Sequence, residues 1–505
     1  MFDPIFQAAG EGLGLLCSWP NILYPVAGTL LAMAFALIPG ISGLTLMALA
    51  IPFTFSWDPL HVMLLFGPLV GGATFAGSIT AILFNIPGAA PSAATMFDGH
   101  PLARRGEAKT AIACAATASA LGSTFGILVL ILLIPVMRGA ILSFGPAESL
   151  MLAVWGLSTI AVLTKGSAIK GLSAAGLGLL LAFIGSDPRT AEERFTLGTL
   201  YLRDGVDPVP VFLGLFAIAE VFELILSDRP TISAGLRADQ LTGSVRRGIL
   251  AVFRNFGLFL RCSVIGTVVG MIPGIGGTVA SFVAYGHAAQ SRRGPRGTFG
   301  KGDIRGVLAP EAAHDAKDGG SLVPVLALGI PGSAGTVLLI AVLNLHGMTP
   351  GRTMMAQHLG LVFVLIWALF FSNWLTSIVG MLAVSPIARL TVVRMRLLVP
   401  VLLAFTALGA FLTQGRIEDV AAAFVFGLVG LGMKRHGWPR VPLLVALVLA
   451  QFFEVNFHIT WRLHELGRVN FWTRPIALVL LGLTLASLAV PWLQGSRSGK
   501  GEERR

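Results

Sequence analysis

Leu37-Ile38-Pro39-Gly40-Ile41-Ser42-Gly43 returns later in the chain as Met271-Ile272-Pro273-Gly274-Ile275-Gly276-Gly277. Each copy is followed by a second break of the same kind. Gly77-Ser78 leads to Asn85-Ile86-Pro87-Gly88, and Gly320-Ser321 leads to Gly329-Ile330-Pro331-Gly332. From Pro39 to Pro87 is 48 positions and from Pro273 to Pro331 is 58. Two Ile-Pro-Gly breaks in the same order in each half mark an internal repeat, the product of a duplication.

The breaks sit among apolar runs. Of 505 residues, 55% are apolar and 12% charged, with mean hydropathy +0.81; a soluble domain holds about 25% charged residues. The runs 111–137, 146–164, 168–185, 208–227, 358–384, 398–413, 441–457 and 475–494 approach or exceed the roughly 18 residues that span a bilayer core. The expected fold is an all-α polytopic membrane protein of about ten to twelve transmembrane helices. The 61 glycines and 28 prolines cluster inside apolar segments, where membrane helices tolerate them. Cys17, Cys114 and Cys262 lie far apart and read as buried small hydrophobes. No basic region opens the N-terminus, so a cleaved signal peptide is not expected.

The net charge of +11 could suggest nucleic acid, but the basic residues fall in short loops between apolar runs, as the positive-inside rule requires. The main basic regions are Arg104–Lys109, 228–261 and 290–306, and 26 of the 36 Lys and Arg fall on the cytoplasmic side if crossings alternate. The expected organisation is an N-terminal interfacial segment (1–20), a first membrane repeat (21–227), a cytoplasmic basic connector (228–255), a second membrane repeat (256–494) and a cytoplasmic tail (495–505). The basic loop follows the second break in the first half and lies between the breaks in the second. Equivalent segments then point in opposite directions, giving two inverted-topology repeats with broken helical hairpins, an arrangement of secondary transporters.

Proline removes a backbone donor and glycine permits left-handed backbone, so each break interrupts a helix. The main-chain groups set free need partners inside a bilayer. Half-helix N-termini can hold an anion, and exposed carbonyls a cation. This points to substrate binding by Gly40, Ser42, Gly43, Asn85, Pro87, Gly88, Gly274, Gly276, Gly277, Thr278, Pro331, Gly332 and Ser333. A coupling sodium ion is expected near Ser78, Asn85 and Ser321; no other cofactor is expected. The plainer alternative is kinks that let small residues pack closely. No nucleotide-binding loop and no metal-ligand motif occurs, so energy must come from an ion gradient or a partner.

At these motifs the sequence resembles the large membrane subunit (TctA) of the tripartite tricarboxylate transporters. The resemblance rests on GGATFAGSITAILFNIPGAAPSAATMFDGHPLARRGEA at 71–108, RFTLGTLYLRDGVDPVPVFLGLFAIAEVFE at 194–223 and GMIPGIGGTVASFVAYGHA at 270–288. It also rests on FGKGDIRGVLAPEAAHDA at 299–316 and GGSLVPVLALGIPGSAGTVLLIAVLNLHGMTPG at 319–351. It implies a carrier of di- or tricarboxylates in the bacterial inner membrane, driven by an ion gradient, usually sodium. It also implies two partners, a small four-helix membrane subunit and a periplasmic solute-binding protein. The family commonly has Glu-Ala-Ala-Asn-Asn-Ala where this chain has Glu311-Ala312-Ala313-His314-Asp315-Ala316. The simplest reading of His314 is a loop residue beside cytoplasmic charge; a proton role is the other.

Asp98 and His100 read as turn residues or as part of a gate, and Arg194 and Arg203 as surface ion pairs or a docking face. Glu220, Glu223 and Glu454 lie in apolar segments. Two rival functions remain: a passive anion channel, and an intramembrane hydrolase using Ser42 or Ser78, for which no nearby base stands out.

Overall fold

The computed structural model describes residues 3–37, 43–142, 144–158, 168–187, 190–226, 242–273, 276–291, 298–384, 395–468, 470 and 473–486. Among them the only strands are the two-residue β1 (Gly185–Ser186) and β2 (Glu193–Arg194), an antiparallel pair with Gly185 opposite Arg194. Most of the rest is helical. The first half contains α1 (Asp3–Cys17), α2 (Leu23–Ala36), α3 (Gly43–Ala50), α4 (Pro59–Phe84), α5 (Ala93–Leu102) and α6 (Ala108–Leu142). It continues through α7 (Pro146–Ser158), α8 (Ala168–Ala182) and α9 (Pro208–Leu226). The second half contains α10 (Val245–Arg254), α11 (Phe256–Met271), α12 (Gly276–Gln290), α13 (Arg305–Leu328), α14 (Ala334–Leu345), α15 (Arg352–Gln357) and α16 (Leu359–Leu382). It ends with α17 (Met395–Gln414), α18 (Ile417–Arg435), α19 (Val441–Glu465) and α20 (Pro475–Ala486).

Among the described residues, five helical stretches are long and apolar enough to cross a membrane: α4, Ala90–Gly139, α9, α16 and α19. A sixth is counted if α10 and α11, bent by 77° at Asn255, form one span. That is fewer than the ten to twelve expected, for two physical reasons. The breaks cut apolar runs into short helices such as α2, α3 and α14, and α13 carries too many charges to count by composition. Residues 1–20 were expected at the interface. In the structure α1 packs along α16, burying Ile5, Ala8, Gly12 and Leu16, and the Trp367 indole donates to Ala9 O at 2.9 Å. Cys114 and Cys262 are buried, whereas Cys17 is exposed. Of the expected connector only 242–255 is described, and the tail lies outside the described residues.

The basic regions are brought together. Lys109 N donates to Thr242 O at 3.0 Å, Arg247 pairs with Glu107 at 3.0 Å, and Gly302 lies beside the Arg105 guanidinium. Elsewhere Lys170 donates to His436 O (2.7 Å), Arg352 to Phe144 O (3.0 Å) and Arg416 to Asp204 (2.9 Å). Each contact joins positions that the charge bias assigns to the same side.

At the centre, α13 is gripped from two sides by glycines. Gly122 and Gly126 of α6 lie on Ala312 and Ala316, and Gly266 and Gly270 of α11 lie on Ala313 and Lys317. Spaced by four, each glycine pair clears one helix face so that backbones meet closely. Residues 62–69 of α4 share one apolar cluster with Leu322–Ala327 at the end of α13. Phe75, Ile79 and Leu83 share another with Val307 at its start. Gly67 on Ala368 and Gly380 on Phe75 set α4 parallel to α16, Gly122 on Ala312 and Gly126 on Ala316 set α6 parallel to α13, and Arg352 on Phe144 O with Trp374 on Thr124 sets α16 against α6, so α4 and α13 run in opposite directions.

Candidate functional site

Among the described helices, α13, whose segment is not one of the apolar runs expected to span the membrane, is buried along nearly its whole length. Along α13, Glu311, Asp315 and Asp318 are 0% exposed, His314 3% and Lys317 8%. A helix enclosed by apolar neighbours can carry such groups only where hydrogen bonds and opposite charge meet them. Here they do. The Glu311 carboxylate accepts from Ser78 Oγ of α4 (2.7 Å), from Thr95 Oγ1 of α5 and from Ser119 Oγ of α6 (3.4 Å). Ser119 also meets Asp315, and Ser92 Oγ lies 3.1 Å from Ser78 Oγ. Lys317 pairs with Asp318. The other side of α13 faces the second half's first break. A Cβ built on Gly277 would lie 3.1 Å from His314 Cδ2, 3.1 Å from Lys317 Cε and 3.3 Å from Pro91 Cγ. His314 is thus a residue of a buried helix, which corrects the expectation of a loop position.

The breaks themselves are real interruptions where described. Asn85 ends α4 in left-handed backbone (φ 57°, ψ 28°), and Gly329 ends α13 likewise (φ 67°, ψ 20°). After each, a glycine packs against the helix just left. Gly88 N donates to Gly77 O at 3.1 Å, and a Cβ on Gly88 would lie 2.6 Å from Gly77 Cα and 2.7 Å from Ala36 O. A Cβ on Gly332 would lie 3.0 Å from Ser321 Cβ and 3.3 Å from Gly270 O. Gly88 leaves no room for a side chain and Gly332 leaves little, and both contacts reach the end of the helix that runs into the preceding break. The breaks also meet across the halves: α3 packs on α14, and α12 packs on residues 90–92.

The residues expected to hold substrate and ion are dispersed among these contacts. Gly40, Ser42 and Gly274 lie outside the described residues. Gly43 opens α3 against Ala73, Gly276 (φ 69°) opens α12, and Thr278 is half-buried. Pro87 is half-buried and the Asn85 side chain is exposed. Pro331 and Gly332 are buried. Ser333 caps α14, its N–H donating to Thr336 Oγ1 at 2.8 Å and its hydroxyl accepting from Thr336 N at 3.4 Å. Ser78 belongs to the Glu311 cluster, whereas Ser321 Oγ donates to Asp318 O of its own helix at 3.0 Å. No described hydrogen bond joins Ser78, Asn85 and Ser321. The sequence reading missed Glu311, Asp315, Lys317 and Asp318 as intramembrane groups, together with Thr95, Ser119 and Ser123. The available signal was the i, i+4, i+7 spacing of the three carboxylates in a segment otherwise rich in Ala and Gly.

The other charged residues singled out in the sequence form ion pairs and hydrogen bonds. Glu220 pairs with Lys434 (2.6 Å) and Arg440 (3.0 Å), Glu223 with Lys434, and Glu454 with Arg194 (2.7 Å). Arg203 pairs with Glu193, whose pKa its hydrogen bonds hold below the usual range. Asp98 accepts from Tyr285 Oη (2.9 Å), Gly302 N and Asp303 N (2.8 Å each), tying α5 to α12 and to the loop before α13. His100 Nδ1 lies 3.0 Å from Ile82 O. In that loop burial pushes the Asp303 pKa up, but hydrogen bonds from Arg305 and Thr298 outweigh it and leave it lowered.

Apolar helices around a charged polar core, with paired helix breaks beside it, are the build of a membrane transport protein. The chain belongs to the tripartite tricarboxylate transporter TctA family, whose model matches residues 22–445. It is 32% identical over 479 residues to an uncharacterized 52.8 kDa protein in the TAR-I ttuC' 3' region of Agrobacterium vitis, covering 95% of this chain and 94% of that one. It is 30% identical over 237 residues to an uncharacterized protein in the TAR-II ttuC' 3' region of the same organism, covering 47% of this chain and 98% of that one. No solved structure matches.

Proposed function

We propose that this chain is the large transmembrane subunit of a binding-protein-dependent secondary transporter that takes up di- or tricarboxylates across the bacterial inner membrane, driven by an ion gradient. Its partners are a small four-helix membrane subunit and a periplasmic solute-binding protein. The observation that carries the reading is the polar face of α13: five ionisable side chains buried among apolar helices, beside the breaks. Intramembrane ionisable groups mark ion and substrate paths. Substrate carboxylates meet the helix ends around Gly277 and Ser333, and the driving ion meets the carboxylates of α13.

The two halves are inverted repeats that begin at α1 and α10, earlier than the motifs alone suggest. Several reciprocal contacts support this: α1 packs on α16 as α10 packs on α6, α2 on α4 as α11 on α13, and α8 on α19 as α18 on α9. The opposite directions of α4 and α13 add to it. In such an arrangement one repeat-derived unit moves against the other to alternate access.

The test is uptake of labelled di- and tricarboxylates into proteoliposomes holding both membrane subunits, with the binding protein outside. Glu311→Gln is expected to abolish gradient-driven uptake while membrane insertion persists; Asn85→Ala and Ser333→Ala are expected to impair it. Full uptake in all three would refute the site, and uptake without any gradient would favour a passive channel.

A further inference from the structure

Residues four apart on a helix fall in one row along its surface, and the rows of α10 differ sharply. Gly248 and Val252 form the row that meets α6. A Cβ on Gly248 would lie 2.3 Å from Thr110 O and 2.7 Å from Ala113 Cβ, and Val252 is 0% exposed. The row on the opposite side is Arg246, Leu250 and Arg254, all exposed. Between them, one flank is Val245, Ile249 and Phe253 and the other is Arg247 and Ala251. The first flank is wholly apolar yet uncovered: Val245 is 39% exposed and Phe253 52%.

Contacts with α6 show which way the flanks point. Arg247 pairs at 3.0 Å with Glu107, just before the start of α6. Gly248 lies further along, on Thr110, Ala113 and Cys114. That order runs inward from the end of α6 that the charge bias assigns to the cytoplasm. The Arg247 flank therefore looks to the cytosol, and the Val245–Phe253 flank looks into the bilayer. The bend agrees with this. Helix α11 packs along α13, and α10 leaves it at 77°, so α10 lies close to the membrane plane where α11 crosses it.

A helix that lies flat with one apolar flank and one basic flank fits the boundary between acyl chains and headgroups. The charge of the corner decides which headgroups. Among the described residues Arg246 and Arg254 pair with no carboxylate, and Lys109 is drawn to the same place through its N–H to Thr242 O. Exposed arginines beside exposed apolar side chains call for a surface that is both anionic and oily.

We propose that α10 is an interfacial helix that binds the anionic lipid surface of the cytoplasmic leaflet. Val245, Ile249 and Phe253 lie among acyl chains, and Arg246 and Arg254 draw anionic headgroups. The inference stands apart from the transporter reading, because it concerns the bilayer and not the cargo.

The test uses the full chain in lipid nanodiscs, in a Cys17→Ser background where Cys114 and Cys262 are buried. A bimane label at Phe253→Cys or at Val245→Cys reports contact with brominated acyl chains through quenching. Strong quenching at both positions is expected, with weaker quenching of a label at Arg254→Cys. In mixtures of phosphatidylglycerol and phosphatidylcholine, brominated phosphatidylglycerol should quench the label at 253 beyond its share of the lipid. Arg246→Gln and Arg254→Gln should each lower that preference by about fivefold at low salt. The label at 245 decides the matter if Phe253→Cys does not fold. Absence of quenching at 245 and 253 would overturn the proposal, since a flank in water or under another protein segment meets no acyl chain. Equal quenching by the two lipids would overturn it too, as would a preference that both arginine variants leave unchanged.

Discussion

Gly126→Ala tests whether α13 can be charged because its neighbours come so close. A methyl group at Gly126 would lie 2.9 Å from the Ala316 carbonyl carbon and 3.0 Å from Ala316 Cα, and nearer still to Ala316 O. Carbon atoms rest at about 3.5–4.0 Å, so α6 and α13 must separate by roughly 0.5–1 Å. Overpacking of that size costs about 1–3 kcal/mol. Alanine also favours helix over glycine by about 1 kcal/mol, which would hide part of the loss. Gly139→Ala on the same helix removes that ambiguity, because nothing lies within 4 Å of a Cβ there. The difference between the two variants should then be about 1–3 kcal/mol, or about 5- to 150-fold in the unfolding constant. Denaturant titration in mixed micelles, followed by size-exclusion chromatography, reads that difference. Identical curves for the two variants would mean that α6 and α13 are not in backbone contact, and the account of how α13 is sheltered would fail.

Three further outcomes are expected. Lys317→Met leaves Asp318 buried without its cation and should destabilise by about 3–5 kcal/mol; adding Asp318→Asn should recover most of the yield of monodisperse protein, and no recovery would mean the pair is not a pair. Asp98→Asn turns an acceptor of three hydrogen bonds partly into a donor and should cost about 1–3 kcal/mol, against about 1 kcal/mol for Tyr285→Phe, both read as loss of thermal stability. In a Cys17→Ser background, where Cys114 and Cys262 are buried, an impermeant maleimide should label Thr242→Cys from one face only and Asp204→Cys from the other; labelling of both from one face would contradict the orientation.

The breaks were legible because proline followed directly by glycine removes a donor and frees the backbone at one point, whereas the lone prolines Pro68, Pro310 and Pro324 stay inside their helices; Asn85 and Gly329, two residues before Pro87 and Pro331, end theirs in the same left-handed backbone. The roles of the flanking residues were less legible. Ser333 had the right chemistry for an anion, but Ser333-x-x-Thr336 is also a cap, and the cap is what its hydroxyl makes. The α13 segment was missed because hydropathy averages a helix all round. Its charges lowered the average, although neighbouring helices supply the apolar surroundings. Likewise α1 has no break motif to show that it pairs with α16. The face it buries, Ile5, Ala8, Gly12 and Leu16, recurs at helical spacing, but that spacing does not say which distant helix it meets.

The division of charge between the halves follows from where the glycines stand. Setting Asn85 level with Gly329 puts Glu311, Asp315 and Asp318 level with Gly67, Gly71 and Thr74 of α4. Gly67 and Gly71 are the positions at which α4 meets α16, against Leu365, Ala368, Leu369 and Asn373. Across the corresponding interface of α13 the glycines are on the partner, Gly122 and Gly126 of α6. An interface needs small residues on only one side to bring two backbones together. Where α4 supplies them, its own face carries no side chain and cannot hold an ion. Where α6 supplies them, α13 keeps its side chains, and two of its three carboxylates, Glu311 and Asp315, occupy the turns that glycine fills in the other half. Exchanging the two sides, with glycine at 311 and 315 and larger residues at 122 and 126, would keep the packing volume similar while removing the charge. Such a chain should assemble and carry nothing; uptake in that variant would separate the carboxylates from transport altogether.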